Sequence, residues 1–195
     1  MIEATQADAA IMQVAARLDA LLGRDKRVVV VTGYEEADGA SLLAAQLSVA
    51  LARLSEAPVV VVDANRGAAA LHEYFQLPNA QGLSDVLAGG DEYDVLQETP
   101  FGVAVLAAGE GSGPIAALSA GRLLEKLKAR YRYILIAAPP VLQSSDTVLL
   151  CGLSDGAVFS LLAGQRHVKE IKEMQKELAR LETPLLGAVM RERKR

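Results

Sequence analysis

Arg27-Val28-Val29-Val30-Val31-Thr32-Gly33-Tyr34-Glu35-Glu36-Ala37-Asp38-Gly39-Ala40-Ser41 is the stretch that decides the fold. Its first six residues form a short, β-branched run without apolar–polar alternation, the pattern of a strand buried on both faces. A loop of glycine and acids, 33–39, follows. It leads into helical spacing through Leu43, Leu47, Ala50, Leu51 and Leu54. Strand, tight loop and amphipathic helix in immediate succession make the first half of a crossover unit.

The same unit recurs outward from there. Val59–Val62 is a strand ending at Asp63, and further strands fall at 103–106, 133–136, 157–162 and 185–189. Helical patterns lie near 67–75, 82–98, 115–130, 145–151 and 167–182. On the N-terminal side, Ala7, Ala10, Ile11, Val14, Leu18, Leu21 and Leu22 give one apolar helical face that stops at Gly23. Parallel strands need crossover connections, so this alternation predicts an α/β fold: a doubly wound, mostly parallel sheet flanked by helices in three layers. With no linker, repeat or low-complexity stretch, one domain is expected over 1–195. It comprises an N-terminal helix (1–24), a core (25–190) and a basic tail (191–195).

Composition narrows the class of function. Hydrophobic residues make up 51% and charged residues 23% of the 195, which suits a globular chain. Aromatic residues are only 4% and the net charge is −4, so neither stacking platforms nor counter-ion release favour a nucleic-acid partner. Cys151 is the sole cysteine and lies in the apolar run Val148-Leu149-Leu150-Cys151, which predicts core packing in a reducing compartment. His72 and His167 lack carboxylate or thiol company at ligand spacing, so surface histidines and no metal are expected. Arg166, His167, Lys169 and Lys172 alternate with Glu170, Glu173 and Glu177, as on a solvated helix face. The start, Met1-Ile2-Glu3-Ala4, has no basic-then-apolar leader pattern. No apolar run reaches the roughly 18 residues of a membrane span. A cytoplasmic protein is expected, held at the inner face of a membrane only through a partner. The terminal Arg191-Glu192-Arg193-Lys194-Arg195 reads as a solvated, frayed end.

In an open parallel sheet, ligands bind beyond the carboxyl ends of the strands. Chemistry is therefore sought at Gly33–Ser41, Asp63–Arg66, Ala107–Pro114 and Ala137–Pro140. A phosphate loop has the form G-x-x-x-x-G-K-[ST], its amides curled round phosphates, its Lys on the β and γ oxygens and its hydroxyl on Mg²⁺. Aligned on Gly39 and Ser41, the loop here keeps the last glycine and the hydroxyl. Ala40 replaces the Lys and Tyr34 the first glycine. Glu35, Glu36 and Asp38 crowd the loop with no basic residue between Gly33 and Ser41. Each carboxylate at about 8 Å from a phosphate charge disfavours it by roughly 0.5–2 kcal/mol.

Other segments carry a resemblance. Val62-Asp63-Ala64-Asn65-Arg66, then Leu71-His72-Glu73-Tyr74-Phe75, resembles the D-x-D-x-R segment of the bacterial tyrosine kinases of capsule and exopolysaccharide synthesis and their MinD/ParA-type P-loop relatives. Gly82-Leu83-Ser84-Asp85-Val86-Leu87-Ala88-Gly89-Gly90 is similar to the run that follows it. Ala108-Gly109, Gly113-Pro114, Leu118 and Tyr131–Val141 resemble the third motif region, which ordinarily ends Y-D-x-(apolar)₃-D-T-P-P. Ser145-Asp146, Ala157-Val158 and Leu186-Gly187-Ala188-Val189 continue the match, which covers about 25–190.

The departures from that pattern fall on chemistry. Besides Ala40, Asn65 stands for the second carboxylate of D-x-D. Ala137 replaces the acid that would hold the Mg²⁺ shell, Ala138 removes its neighbouring hydroxyl, and Met190 replaces an Asn near the base. Phosphoryl transfer depends on positioning and on charge neutralisation by Lys and Mg²⁺. The family also phosphorylates tyrosines in its own C-terminal tail. The five tyrosines here are at 34, 74, 93, 131 and 133. Met12 and Ala15 occupy positions where family members carry ring-building arginines, leaving Arg17, which puts a family-type homo-oligomer in doubt. Asp63, Arg66 and Asp146 either serve a partner interface or are remnants.

The resemblance thus implies a degenerate relative that has lost ATP and Mg²⁺ binding and has no catalytic residue. It would act as a scaffold or regulator docked on the cytoplasmic part of a membrane polysaccharide co-polymerase (a chain-length regulator) or on a related kinase. The alternatives are a divergent ATP-binding autokinase or ATPase with an unrecognised cation in place of Lys, and a MinD/ParA-like positioning protein.

Overall fold

The valine runs fix the centre of the molecule. In the computed structural model, which describes residues 9–24, 27–111, 113–164 and 168–192, Val28–Val31 and Val59–Val62 are all buried. Alternate valines face opposite ways, as the two-residue period of a strand requires. Val29, Val31, Val59 and Val61 join one core cluster, whereas Val28, Val30, Val60 and Val62 join the other. A strand apolar on both faces has to be covered twice, and helices do the covering on each side.

In chain order the elements are α1 (Ala9–Leu22), β1 (Val28–Thr32), a 3₁₀ turn (Glu36–Asp38), α2 (Ala40–Ser55), β2 (Val59–Asp63) and α3 (Leu71–Phe75). Then come α4 (Leu83–Leu87), α5 (Glu92–Val95), β3 (Gln97–Glu98), β4 (Val103–Leu106), α6 (Ala117–Arg130) and β5 (Tyr133–Ala137). The last are α7 (Ser145–Gly152), β6 (Gly156–Leu162), α8 (Val168–Arg180) and β7 (Leu185–Arg191). The sheet order is β3-β4-β2-β5-β1-β6-β7, with every pair parallel except β3 with β4. The three-layer α/β arrangement expected from the alternation is present.

One face is packed by α1, α2 and α3. Ile11, Ala15, Leu18 and Leu22 follow the helical period and lie against this core. Met12 is partly buried there and Arg17 is exposed. The other face holds α6, α7 and α8, with Leu123, Leu127, Met174 and Leu178 in its core. Cys151 is buried among them, and burial pushes its thiol up to about 12, so it is inert at neutral pH. Along α8, Lys169 faces Glu173 at 3.9 Å and Arg180 faces Glu177 at 3.0 Å, the pairings of a solvated face. Arg166 and His167 lie outside the described residues, as does the tail from 193 onward.

Three expectations need correction. The helical pattern over 82–98 is not one helix: α4 ends before Gly89, whose φ of +108° no helix accommodates, and a separate α5 and the antiparallel edge strand β3 follow. The helix expected near 67–75 begins only at Leu71. Arg191, read as the start of a frayed tail, is the last residue of β7. Its carbonyl accepts a 2.8 Å hydrogen bond from the Ala163 amide, so the strand outruns its apolar run.

The stability of the α2 layer rests on Leu43, Leu47 and Leu51, each 0% exposed and four residues apart. Leu47→Ala should lower the unfolding free energy by about 2–5 kcal/mol, lost transfer energy plus a residual cavity. Urea titration with an unchanged m-value checks this; a loss below about 1 kcal/mol would contradict the rigid packing argued for that layer.

Candidate functional site

The loop after β1 is closed by one of its own side chains. Asp38 is buried, and its Oδ2 accepts hydrogen bonds from the backbone amides of Tyr34 at 2.8 Å and Glu35 at 3.1 Å. Its Oδ1 accepts from the amide of Leu162 at 2.7 Å, at the end of β6. The Ser160 hydroxyl donates to the Asp38 carbonyl. Gly33 makes this possible, since a Cβ there would lie 2.7 Å from the Asp38 Cβ. The three loop acids were expected to add repulsion alike, but Asp38 turns inward and is held by amides. Glu36 is engaged too, accepting from Asn65 Nδ2 at 2.7 Å. From the far side, Gln143 Nε2 donates to the Tyr34 carbonyl at 3.1 Å and the Val141 amide to the Gly33 carbonyl at 3.2 Å.

Asp63, at the end of β2, is 0% exposed. Its Oδ1 accepts from the Asn65 amide at 3.2 Å, and its Oδ2 from the amides of Ala70 at 3.0 Å and Leu71 at 2.9 Å. Burial raises its pKa above the ordinary carboxylate value, and the Leu71, Ala70 and Asn65 amides pull the other way. It therefore ties down the turn into α3. Arg66 donates to Asp146 Oδ2 at 3.0 Å and to the Gly113 carbonyl, while Asp146 Oδ1 accepts from the Ile115 amide at 3.0 Å. Arg66 and Asp146 pin three segments of this sheet edge together.

The remaining positions place no further charge in the site. Ala40 is the first residue of α2, and Ser41, next to it, is buried. Ala137 and Ala138 are buried at the end of β5, where the Ala137 carbonyl accepts from the Ala64 amide. Met190 is 65% exposed. Among the described residues no group of three or more His, Cys, Asp or Glu is disposed to hold a metal. His72 is half-buried rather than a surface residue, and its Nδ1 is buried without a partner. The cavity flanking the loop, lined by Tyr34, Glu35, Asp38, Leu161, Glu170 and Ile171, measures about 240 Å³ even counting space open to solvent. Ligand pockets ordinarily run from about 300 to 1,000 Å³. Asp63 accepts from three amides, and Ala40 rather than a lysine follows Gly39.

A cation does reach the loop, from the other end of the chain. The Arg191 guanidinium lies against Gly39, whose φ is +66°; a Cβ on Gly39 would meet Nη2 at 2.5 Å and Cζ at 2.7 Å. Burial lowers the Arg191 pKa, with Tyr74 and Asp38 opposing that shift. Sequence reasoning missed it because the basic cluster 191–195 was taken as a unit. The usable signal was strand parity, since 187, 189 and 191 share one face of a strand carried two residues further.

No protein-family model matches the chain. It is 28% identical to tyrosine-protein kinase YwqD of Bacillus subtilis over 189 residues, covering 90% of this chain and 76% of YwqD. It is 31% identical to the putative tyrosine-protein kinase EpsB of Ralstonia nicotianae over 169 residues, covering 83% of this chain. The match spans only 22% of EpsB. The kinase domain of Escherichia coli tyrosine kinase ETK superposes with a TM-score of 0.83 over 94% of this chain and 74% of that one, at 22% identity, which speaks to the fold. The chain is thus homologous to proteins named tyrosine-protein kinases, and its fold is the P-loop fold of such domains.

The Asp63 geometry carries a pH signature. Its folded pKa lies above its unfolded one, so the folded chain binds that proton more tightly. Acidification through the raised value therefore adds stability, and the contribution is lost as pH rises through it. Between pH 7 and about pH 4 the stability of the wild type relative to Asp63→Ala should grow, as read by paired melts. A gap that narrows on acidification would contradict this.

Proposed function

We propose that this homologue of the bacterial tyrosine-protein kinases is a non-catalytic scaffold or regulator of capsule or exopolysaccharide synthesis and export. It docks on the cytoplasmic part of a membrane chain-length regulator or on a related kinase. The observation that carries the reading is the Asp38 carboxylate, which already holds the loop amides of Tyr34 and Glu35. A phosphate entering that seat would have to displace an intramolecular anion held by three amides. At the metal position, Ala137 offers no oxygen beyond its backbone, and the Asp63 oxygens are engaged. Hydrogen bonds to charged groups contribute roughly 1.5–3 kcal/mol each. Losing the Lys and metal contacts therefore weakens a magnesium–nucleotide complex by about two to four decades. The same losses leave little to stabilise a phosphoryl transition state, which depends on Lys and Mg²⁺ for charge neutralisation.

Partnership supplies the role that remains. Among the described residues no helix is long and apolar enough to cross a membrane. Membrane association on this reading comes from a protein partner, and the sheet with its internally fastened loops is a rigid body on which to dock.

Purified protein incubated with labelled ATP and Mg²⁺ should incorporate no phosphotyrosine above a heat-inactivated control; clear incorporation refutes the non-catalytic reading. Co-expressed with the chain-length regulators of its source cell, the protein should move into the membrane fraction. If it remains in the supernatant with every one of them, the docking half of the proposal is wrong.

A further inference from the structure

We propose that the groove between the α4–α5 turn and α6 binds a small hydroxylated organic anion, a sugar acid or a phosphate ester. Glu92 takes a hydroxyl of the ligand, and Arg122 takes its carboxylate or phosphate. The walls come from the segment leading to edge strand β3 and from the helix before β5, not from the loop after β1.

The chain leaves this space open. Gly89, with a φ of +108°, follows the end of α4, and neither it nor Gly90 places a side chain across the mouth. A Cβ on Gly89 would meet nothing within 4 Å. On the opposite wall Ser119, Arg122 and Lys126 recur at three- and four-residue spacing and so share one face of α6. Leu87 and Leu123 give the groove an apolar part. Its volume is about 630 Å³ counting space open to solvent, within the roughly 300–1,000 Å³ usual for small-molecule pockets.

Glu92 is the residue whose bonding is incomplete. It is the first residue of α5, where the Asp91 side chain caps the helix by accepting from the Tyr93 amide at 2.9 Å. Glu92 is 1% exposed, yet only one of its oxygens is engaged. Oε2 accepts from Lys126 Nζ at 2.7 Å, whereas Oε1 is buried without a partner. A buried carboxylate oxygen without a donor is unfavourable, and such atoms ordinarily have one. Lys126 already balances the charge, so Oε1 lacks a neutral donor rather than a second cation. A hydroxyl is such a donor.

Arg122 supplies the other half. It is exposed and, among the described residues, has no hydrogen-bond or ion-pair partner. Of the charges lining the groove, Glu92 and Lys126 cancel, and Arg122 leaves one positive charge over. A guanidinium fork matches a carboxylate or phosphate with two parallel hydrogen bonds. One anionic head and a neighbouring hydroxyl therefore satisfy both residues at once. The inference does not rest on the scaffold role, and either stands if the other fails.

The test titrates the isotope-labelled full chain with sodium gluconate at constant ionic strength and follows its backbone amides by NMR. Gluconate should shift the amides of residues 86–92 and 119–126 in a saturable way. Sorbitol, which has the hydroxyls alone, and acetate, which has the carboxylate alone, should each bind at least about tenfold more weakly. Arg122→Ala should melt with the wild type and weaken gluconate binding by about ten- to a hundredfold, as loss of one charge-assisted contact implies. Glu92→Gln, which keeps the size and removes the charge, should weaken it by about tenfold. Glucose 6-phosphate binding more tightly than gluconate identifies a phosphate ester as the head group, and the reverse order identifies a carboxylate. The proposal is overturned if gluconate and glucose 6-phosphate both leave those amides unmoved, or if sorbitol or acetate binds as tightly as the better of the two. It is also overturned if either Arg122→Ala or Glu92→Gln binds that ligand as tightly as the wild type.

Discussion

The Asp38 carboxylate joins three backbone amides: Tyr34 and Glu35 within the loop, and Leu162 at the end of a strand 124 residues later. Around that one anion the loop takes its shape. Gly33 has to lack a Cβ to let the side chain in, the Ser160 hydroxyl closes on the Asp38 carbonyl, and Gly39 turns left-handed immediately after it. A loop of this kind ordinarily needs an external anion to gather its amides. Here the anion is covalently part of the chain, so the shape is kept without a ligand.

The same economy governs the rest of the carboxyl edge of the sheet. Asp63 gathers three amides across the turn into α3, and Arg66 with Asp146 draws together the ends of β2, the segment at 113–115 and the start of α7. Thr32 and Thr147 both donate to the Pro139 carbonyl, fixing the loop after β5 against β1 and α7. Charged residues that the sequence places where a ligand would be expected thus serve as internal fasteners. Their burial makes them costly to leave unpaired, and the oxygens of Asp63 and Asp146 are each engaged.

The sheet was legible because its information is local. Four-residue valine runs buried on both faces admit one interpretation, and the helices between them follow from the need to cross over. The site was legible only as a set of positions: Ala40, Asn65, Ala137 and Ala138 could be read as absences, but the roles of the residues present could not. Whether Asp38 repels a phosphate or replaces one depends on the direction of a single side chain, and that is set by the Leu162 amide. Whether Asp63 is idle depends on where the chain turns after Gly67. The pattern over 82–98 misled for a different reason, since Leu83, Val86 and Leu87 are helical in spacing while Gly89 and Gly90 end the helix. Arg191 was hidden by its neighbours, a strand residue at the head of a basic cluster.

Arg191 also gives Ala40 a physical reason. A lysine at 40 would leave the helix one residue after Gly39, whose surface the guanidinium already covers. Two cations so placed would repel one another. Both would also sit at the positive end of α2. Arg191 brings a cation beside the loop from the end of β7. The consequence is geometric. A lysine from α2 would reach round the loop to whatever lies inside it, whereas an arginine from β7 meets the loop from outside, beside a seat already taken by Asp38.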